Sequence, residues 1–451
     1  MTAVTKSIGK YRFRILAMLI YATTVNYFDR SIIGIMAPDL MEWFHWTNTD
    51  YAHIMVAFKI AYAIGMLSMG GIIDRLGTKK GYMLAIGIWS IFGMLHATVV
   101  SEVTFLGFTL SSVALFAIAR FGLGFGESGH FPAAQKTVAE WFPKKDRAFA
   151  TGIYNAATSI GAIAAPFVIG AVVWWTGGDR GQGNFMHWQY PFLITGALSA
   201  FWVFLWIKTY QKPEEHPKLG KEELEYINSD SVVESKEKLS WAKVLPKRQT
   251  WAFATAKITD AVWWFYLFWG AKFLADKFEV DIHNIGIPFM IMYLLADGGS
   301  IFGGWLSGKF MRQGWSINKA RKMTLLICAL IILPVAYVAI TESKWLAVVL
   351  IGIGAAGHQA WSANIFTLVS DVFPKKAVGS VTGIGGMIGA VAGIVGDLAL
   401  GEVLDASGNA GYFWAFLIAG SAYLILLGFV HLLMPKMTPM DENLNLVKTE
   451  A

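Results

Sequence analysis

The chain has 451 residues, a formal net charge of +6 and a single cysteine, Cys328. With 55% hydrophobic residues and a mean hydropathy of +0.49, it is too apolar for an ordinary soluble surface, which makes the lipid bilayer its expected solvent and partner. One cysteine excludes an internal disulfide and any multi-cysteine metal site, and the placement of the positive charge described below points to a membrane rather than to nucleic acid.

Spanning a bilayer takes roughly 20 apolar residues per helix. About twelve such runs begin near residues 14, 51, 81, 104, 147, 189, 250, 283, 322, 345, 377 and 412. The first is no signal peptide, because it is too long, lacks a small-residue cleavage site and carries Asp29-Arg30. Between the sixth and seventh runs lies the longest polar interruption, rich in Lys and Glu with Pro213 and Pro217, which reads as a linker with a short amphipathic helix around Lys221 to Ile227. The expected organisation is a six-helix bundle over 1–210, a linker over 211–249, a second six-helix bundle over 250–436 and a mobile polar tail over 437–451. A repeat supports the two halves. Phe142-Pro-Lys-Lys-Asp-Arg-Ala-Phe-Ala-Thr-Gly-Ile153 returns as Phe373-Pro-Lys-Lys-Ala-Val-Gly-Ser-Val-Thr-Gly-Ile384, each copy a basic turn between apolar runs. The 46 glycines suit close helix packing in lipid.

Basic residues cluster on alternate turns: Lys6 to Arg14, Arg75 to Lys80, Lys144 to Arg147, Lys208 to Arg248, Lys309 to Lys322, and Lys375 with Lys376. The opposite turns carry Asp39, Glu42, Asp50, Glu102, Glu342, Glu402 and Asp405. By the positive-inside rule both termini are cytoplasmic.

An ionisable residue inside a spanning helix is costly unless paired or hydrated, which makes each one a functional candidate. The set is Asp29 and Arg30 in the first helix, Lys59 in the second, Arg120 and Glu127 in the fourth, Asp260 in the seventh, Asp297 in the eighth, His358 in the tenth and Asp397 in the eleventh. Tyr27 and Arg30 share a helix face, offering a phenol and a guanidinium to a planar carboxylate. Arg120 and Glu127 lie seven residues apart on one stripe, placed for a relay, or for a buried network that locks the bundle. Lys59 and Tyr62 share a face of the second helix, where Lys59 either meets a ligand or snorkels. His358, Gln359, Trp361 and Asn364 supply polar and aromatic groups on the tenth helix, Trp263 and Trp264 an aromatic wall on the seventh, and Asn155 with Thr158 a polar spot on the fifth. Cations, hydroxyl-binding groups and aromatic faces together suit a polyhydroxylated acid. His358 and the tryptophans also read as core packing, and Asp297 and Asp397 as structural or near a helix end.

Gly352-Ile-Gly-Ala-Ala-Gly357 fits a dinucleotide fingerprint but lies in an apolar helix with no preceding strand, which makes it a packing surface. Walker, H-E-x-x-H and G-x-S-x-G motifs are absent from the sequence, leaving an enzyme or ATP-driven pump without support.

The turn Gly70-Gly-Ile-Ile-Asp74-Arg75-Leu-Gly77-Thr-Lys79-Lys80 resembles the G-x-x-x-D-R-x-G-x-[RK]-[RK] signature of the major facilitator superfamily. Asn26-Tyr-Phe-Asp-Arg30, Arg120-Phe-Gly-Leu-Gly-Phe-Gly-Glu127, Phe131-Pro132 and Glu140-Trp-Phe-Pro143 are similar to the anion:cation symporter family within it. Ala356-Gly-His-Gln-Ala360, Ser370 to Phe373 and Lys257 to Trp269 resemble the bacterial hexuronate branch. The resemblance implies an all-α fold of about twelve membrane helices in two pseudo-symmetric bundles, acting as a monomer in the bacterial inner membrane. It implies import of a sugar-acid anion such as glucuronate or galacturonate, without a cofactor but with a co-transported proton. Arg30 and Tyr27 would contact the carboxylate, Tyr62 would line the site, Asp29 and Glu127 would carry protons, and Arg120 would tune Glu127. Asp74, Arg75 and Lys79 would form a cytoplasmic gate. Thr158 and Met387 stand where galactonate carriers of the family have glutamine and asparagine, which disfavours an aldonate. Lys59 is an extra charge that either holds a second substrate oxygen or neutralises a carboxylate.

Overall fold

The computed structural model describes residues 9–105, 107–176, 188–229 and 241–447. Lys6, residues 230–240 of the expected linker and the last residues of the tail lie outside them. The helices are α1 (Tyr11–Phe44), α2 (Asn48–Leu95), α3 (Ser112–Glu127), α4 (His130–Trp141), α5 (Lys144–Trp175), α6 (Gln189–Thr209), the short α7 (Lys221–Ile227) and α8 (Trp241–Val244), then α9 (Arg248–Lys257), α10 (Asp260–Phe278), α11 (Gly286–Arg312), α12 (Ile317–Ile332), α13 (Lys344–Val372), α14 (Lys375–Ser407) and α15 (Gly411–Leu433).

Among the described residues, seven helical stretches are long and apolar enough to cross a membrane, and two of them, of 51 and 58 residues, are each long enough for two crossings. The remaining crossings are α1 and the interrupted pairs α3–α4 and α9–α10, giving about twelve. These three carry Asp29, Arg30, Arg120, Glu127, Lys257 and Asp260, and such residues lower the hydropathy of a span.

The α2 stretch turns back on itself at Gly77, whose φ of 78° and ψ of 159° lie in a region that essentially only glycine adopts. The turn is clamped from α4 and α6. Lys136 pairs with Asp74 at 2.8 Å, Thr78 Oγ1 donates to Glu140 at 2.6 Å, and the Trp206 indole donates to the Lys79 carbonyl at 3.3 Å. Tyr210, at the end of α6, donates to the other Glu140 oxygen; burial, and then that carboxylate, push its phenol pKa up.

One expectation fails at the fourth span. The run beginning near residue 104 opens as a hairpin, Glu102–Phe105 paired antiparallel with Phe108–Ser111, and helix begins only at Ser112. Val103, Thr104 and Thr109 favour strand, and Gly107 takes φ of 83° in the turn. The Ser111 side chain then caps α3 by accepting from the Ala114 amide.

Packing divides the chain into two compact units, Met1–Ile32 with Ile60–Ser235, and Ile33–Lys59 with Lys236–Ala451. Division by packing therefore differs from division along the sequence at residues 33–59. In the first unit the α7 helix forms over the expected residues and does structural work. Glu223 is buried and accepts from the Tyr11 and Arg12 amides at 3.0 Å each, capping the start of α1. In the second unit the tail is docked rather than mobile through residue 447. Met437, Met440 and Leu444 are buried, the Met440 amide donates to the Val372 carbonyl at 2.8 Å, and Lys376 pairs with Glu442 at 3.0 Å. Three apolar side chains spaced through a polar segment supply the burial that its average composition conceals. Hydrogen bonds from the Asn445 and Asn443 amides hold the Asp441 carboxyl below its usual range in this turn.

Candidate functional site

In the first unit the candidate site gathers around Arg30. Its Nε and Nη2 reach Glu127 Oε2 at 2.9 and 2.8 Å, and the pair is buried, with side chains 5% and 0% exposed. The guanidinium carbon lies 5.2 Å from the Tyr27 ring centroid and 5.0 Å from that of Tyr62, within cation–π range. Helical spacing from Tyr27 to Arg30 sets the first contact. Glu127 is delivered by the last turn of α3, just before the interruption that starts α4. That turn lies on α2 because Gly126 has no side chain: a Cβ there would meet the Trp89 amide nitrogen at 2.6 Å.

Arg120 Nη1 and Nη2 donate to the carbonyls of Asp29 and Arg30, both at 3.4 Å, and a hydrogen-bonded ion pair joins Glu127 to Arg30, which enters from another helix. Asp29 accepts from Ser199 Oγ of α6 at 2.7 Å. Ser199 was missed at the sequence level because a lone serine in an apolar run carries no signal. The same is true of the buried chain from Thr23 through His130 to Tyr82, with contacts of 2.9 and 2.8 Å. On α5, Asn155 is exposed and Thr158 half-buried; Thr158 lies one turn from Gly161, which packs against Thr24 and Tyr27 of α1.

The second unit has its own buried pair. Lys59 Nζ lies 2.6 Å from Asp397 Oδ2, with side chains 1% and 4% exposed, and donates to the Gly393 carbonyl at 3.0 Å. The ammonium is 5.6 Å from the ring centroids of both Trp264 and Phe268. Asp397 Oδ1 accepts from the Trp269 indole at 3.1 Å. Of the two expectations for Lys59, neutralising a carboxylate is the arrangement observed, and Asp397, expected to be structural, is its partner. Trp269 was not singled out, since a tryptophan in an aromatic run reads as packing.

Elsewhere in that unit His358 Nδ1 is 2.7 Å from the Tyr423 hydroxyl and its ring stacks on Trp263, at 5.5 Å and 12°. Trp361 is buried edge-on against Tyr423, and Gln359 is half-buried. Asn364 is committed to the protein. Its amide donates to the Gly303 and Ala360 carbonyls at 3.0 and 2.9 Å, and its oxygen accepts from Arg321 at 3.2 Å. Arg321 in turn pairs with Asp371 at 2.9 Å. Those bonds tie α13 to α11 and α12, and both polar atoms of Asn364 have protein partners. Asp260 is paired with Lys257 at 2.5 Å across the α9–α10 interruption. Of the expected gate, Asp74 pairs with Lys136, Arg75 is exposed, and Lys79 lends its carbonyl to Trp206. Among the described residues no cluster of His, Cys, Asp or Glu has the makings of a metal site.

Residues 19–396 match the model of the Major Facilitator Superfamily. The hexuronate transporter of Escherichia coli (strain K12) is 30% identical over 411 residues, covering 89% of this chain and 90% of that one. A galacturonate transporter of Dickeya chrysanthemi is 29% identical over 345 residues, 75% of this chain and 93% of that one. Among solved structures, a bacterial homologue of the human lysosomal transporter Spinster superposes with a TM-score of 0.74 at 19% identity, over 95% of this chain and 98% of that one. A D-xylose-proton symporter does so with a TM-score of 0.71 at 16% identity, over 95% and 100%, and at those identities the likeness speaks for the fold. With the family model covering most of the chain and the helices accounting for about twelve crossings, this protein belongs to the Major Facilitator Superfamily and is a membrane transporter, not an enzyme.

Proposed function

We propose that the protein imports a sugar-acid anion of the hexuronate class, glucuronate or galacturonate, together with a proton. The observation that carries this reading is the buried Arg30–Glu127 pair with Tyr27 and Tyr62 against the guanidinium. A planar guanidinium binds a carboxylate through paired N–H donors. Here it already holds one, and an incoming substrate carboxylate competes with Glu127 for it. A proton on Glu127 removes that competitor and leaves Arg30 for the substrate; departure of both restores the internal pair. Substrate and proton thus favour each other through one arginine, the condition for symport. The hydroxyls of Tyr27 and Tyr62 and the rings around them suit a polyhydroxylated ring, and relatives named for hexuronate and galacturonate transport support the substrate class.

In this reading Asp29, held by Ser199, is a second proton station, Arg120 anchors the α1 backbone that carries Asp29 and Arg30, and the Asp74–Lys136 clamp belongs to the cytoplasmic gate. The protein works as a monomer in the bacterial inner membrane with both termini cytoplasmic, by alternating access. The test is uptake of labelled glucuronate and galacturonate into proteoliposomes under an inward proton gradient. Protonophore-sensitive accumulation is expected. Failure of folded protein to take up either would discard the hexuronate assignment and turn attention to aldonates such as galactonate, a substrate named for a more distant relative.

A further inference from the structure

Within the second unit, residues 48–59 at the start of α2 are held to α10 and α14 at three levels. Asp405 of α14 accepts from the Asn48 amide and the Asn48 side chain through Oδ1, and from the Thr49 amide through Oδ2, all at 2.8 Å. It thereby satisfies two of the orphan donors at the start of α2 from another helix. Two residues on, the Tyr51 hydroxyl donates to the Phe268 carbonyl at 2.6 Å. Deepest, Lys59 pairs with Asp397 and donates to Gly393. Gly401 permits the approach: a Cβ on it would meet Ala52 and the Asn48 carbonyl at 2.9 Å each.

The three levels differ in strength. The Asp405 bonds are exposed, where water competes for both partners. The Lys59–Asp397 pair is buried, and breaking such a pair from one side leaves an uncompensated charge in a low dielectric. A transporter must loosen helix contacts to alternate access, and a charged lock gives way cheaply only when its charge changes. We propose that Asp397 is a proton-binding site whose protonation unlocks the start of α2 from α10 and α14. A proton from water adds to the carboxylate, the Coulomb attraction for the ammonium is lost, and the solvated Asp405 cap and the Tyr51–Phe268 hydrogen bond are left as polar ties. Among the described residues, Lys59 is the charged group of α2 that pairs with Asp397. Helix α10 presents Trp269, Trp264 and Phe268 around the pair, while its Asp260 is paired with Lys257 of α9 and its Lys272 with Asp276, which also accepts from Tyr412 of α15. From α15, Trp414, Ala415, Ile418 and Ala419 line the adjoining cavity of about 180 Å³, and α14 itself carries Glu402 and Asp405 toward its end.

This inference rests on family membership and not on the sugar-acid reading, and its test needs no substrate. Hydrogen exchange of the purified full-length protein is followed by mass spectrometry, comparing the native chain with Asp397→Asn and Asp397→Glu at one pH. Asn mimics the neutral acid and still accepts from Trp269; Glu keeps the charge. Peptides covering 48–59 are expected to exchange about tenfold faster in Asp397→Asn, with Asp397→Glu close to native and α13 peptides unchanged. Protection of 48–59, corrected for intrinsic rates, is expected to fall in mildly acid buffer in the native chain and to be less pH-sensitive in Asp397→Asn; whatever Asp405 contributes is common to both. Unchanged exchange at 48–59 in Asp397→Asn, an equal pH response in the two proteins, or equal acceleration throughout the second unit would each overturn the proposal.

Discussion

Two buried ion pairs, one in each unit, solve the same electrostatic problem with different residues. Arg30–Glu127 joins a guanidinium to a carboxylate between two tyrosine rings. Lys59–Asp397 joins a point-like ammonium to a carboxylate whose second oxygen is taken by Trp269, while the ammonium also holds the Gly393 carbonyl. An arginine offers five donors in a plane and can be shared between an internal and an external carboxylate; a lysine ammonium with its near partners supplied by the protein has little left for a ligand. The difference separates a pair suited to exchanging partners from one suited to opening and closing.

The largest effect is expected from Arg30→Ala, which removes the carboxylate anchor and strands Glu127. Binding of labelled hexuronate should be lost, and Arg30→Ala/Glu127→Gln should regain thermal stability without regaining binding; retained affinity would move the anchor elsewhere. Glu127→Gln should abolish accumulation driven by a proton gradient while sparing counterflow exchange, and intact accumulation would remove Glu127 from coupling. On the other pair, Lys59→Met should cost about 3–5 kcal/mol by leaving Asp397 unpaired, while Lys59→Met/Asp397→Leu should return most of it, as read by unfolding in detergent. If the double variant were no better than the single, the pair would owe its worth to geometry rather than charge. The smallest change is expected at the surface, where Asp74→Asn breaks a pair whose side chains are 28% and 64% exposed; about 0–1 kcal/mol is the usual range there, against which the buried pairs can be scaled.

Much of the fold was legible in the chain. The apolar runs marked about twelve crossings, and α7 formed over the very residues proposed for a short helix. The hairpin at 102–111 was not, because a short apolar run has the same average composition as a helix start. Nor was the docking of the tail, where three buried side chains outweigh a polar average. At the site, Arg30, Tyr27, Tyr62, Glu127, Asp29 and Lys59 stood out because charges and phenols are conspicuous in an apolar span. The hydrogen-bond partners of Asp29, Asp397 and His358 did not, since Ser199, Trp269 and Tyr423 are unremarkable in sequence.

The sequence by itself therefore determined the solvent, the approximate number of crossings and which ionisable side chains lie within them, because those follow from hydropathy, length and helical spacing. Only the tertiary structure decided which charge meets which. Arg30 pairs with Glu127, and Lys59 meets Asp397. Helical periodicity gives the direction of a side chain about its own axis, whereas an ion pair between helices depends on how two axes approach, which is set by packing distributed over many residues.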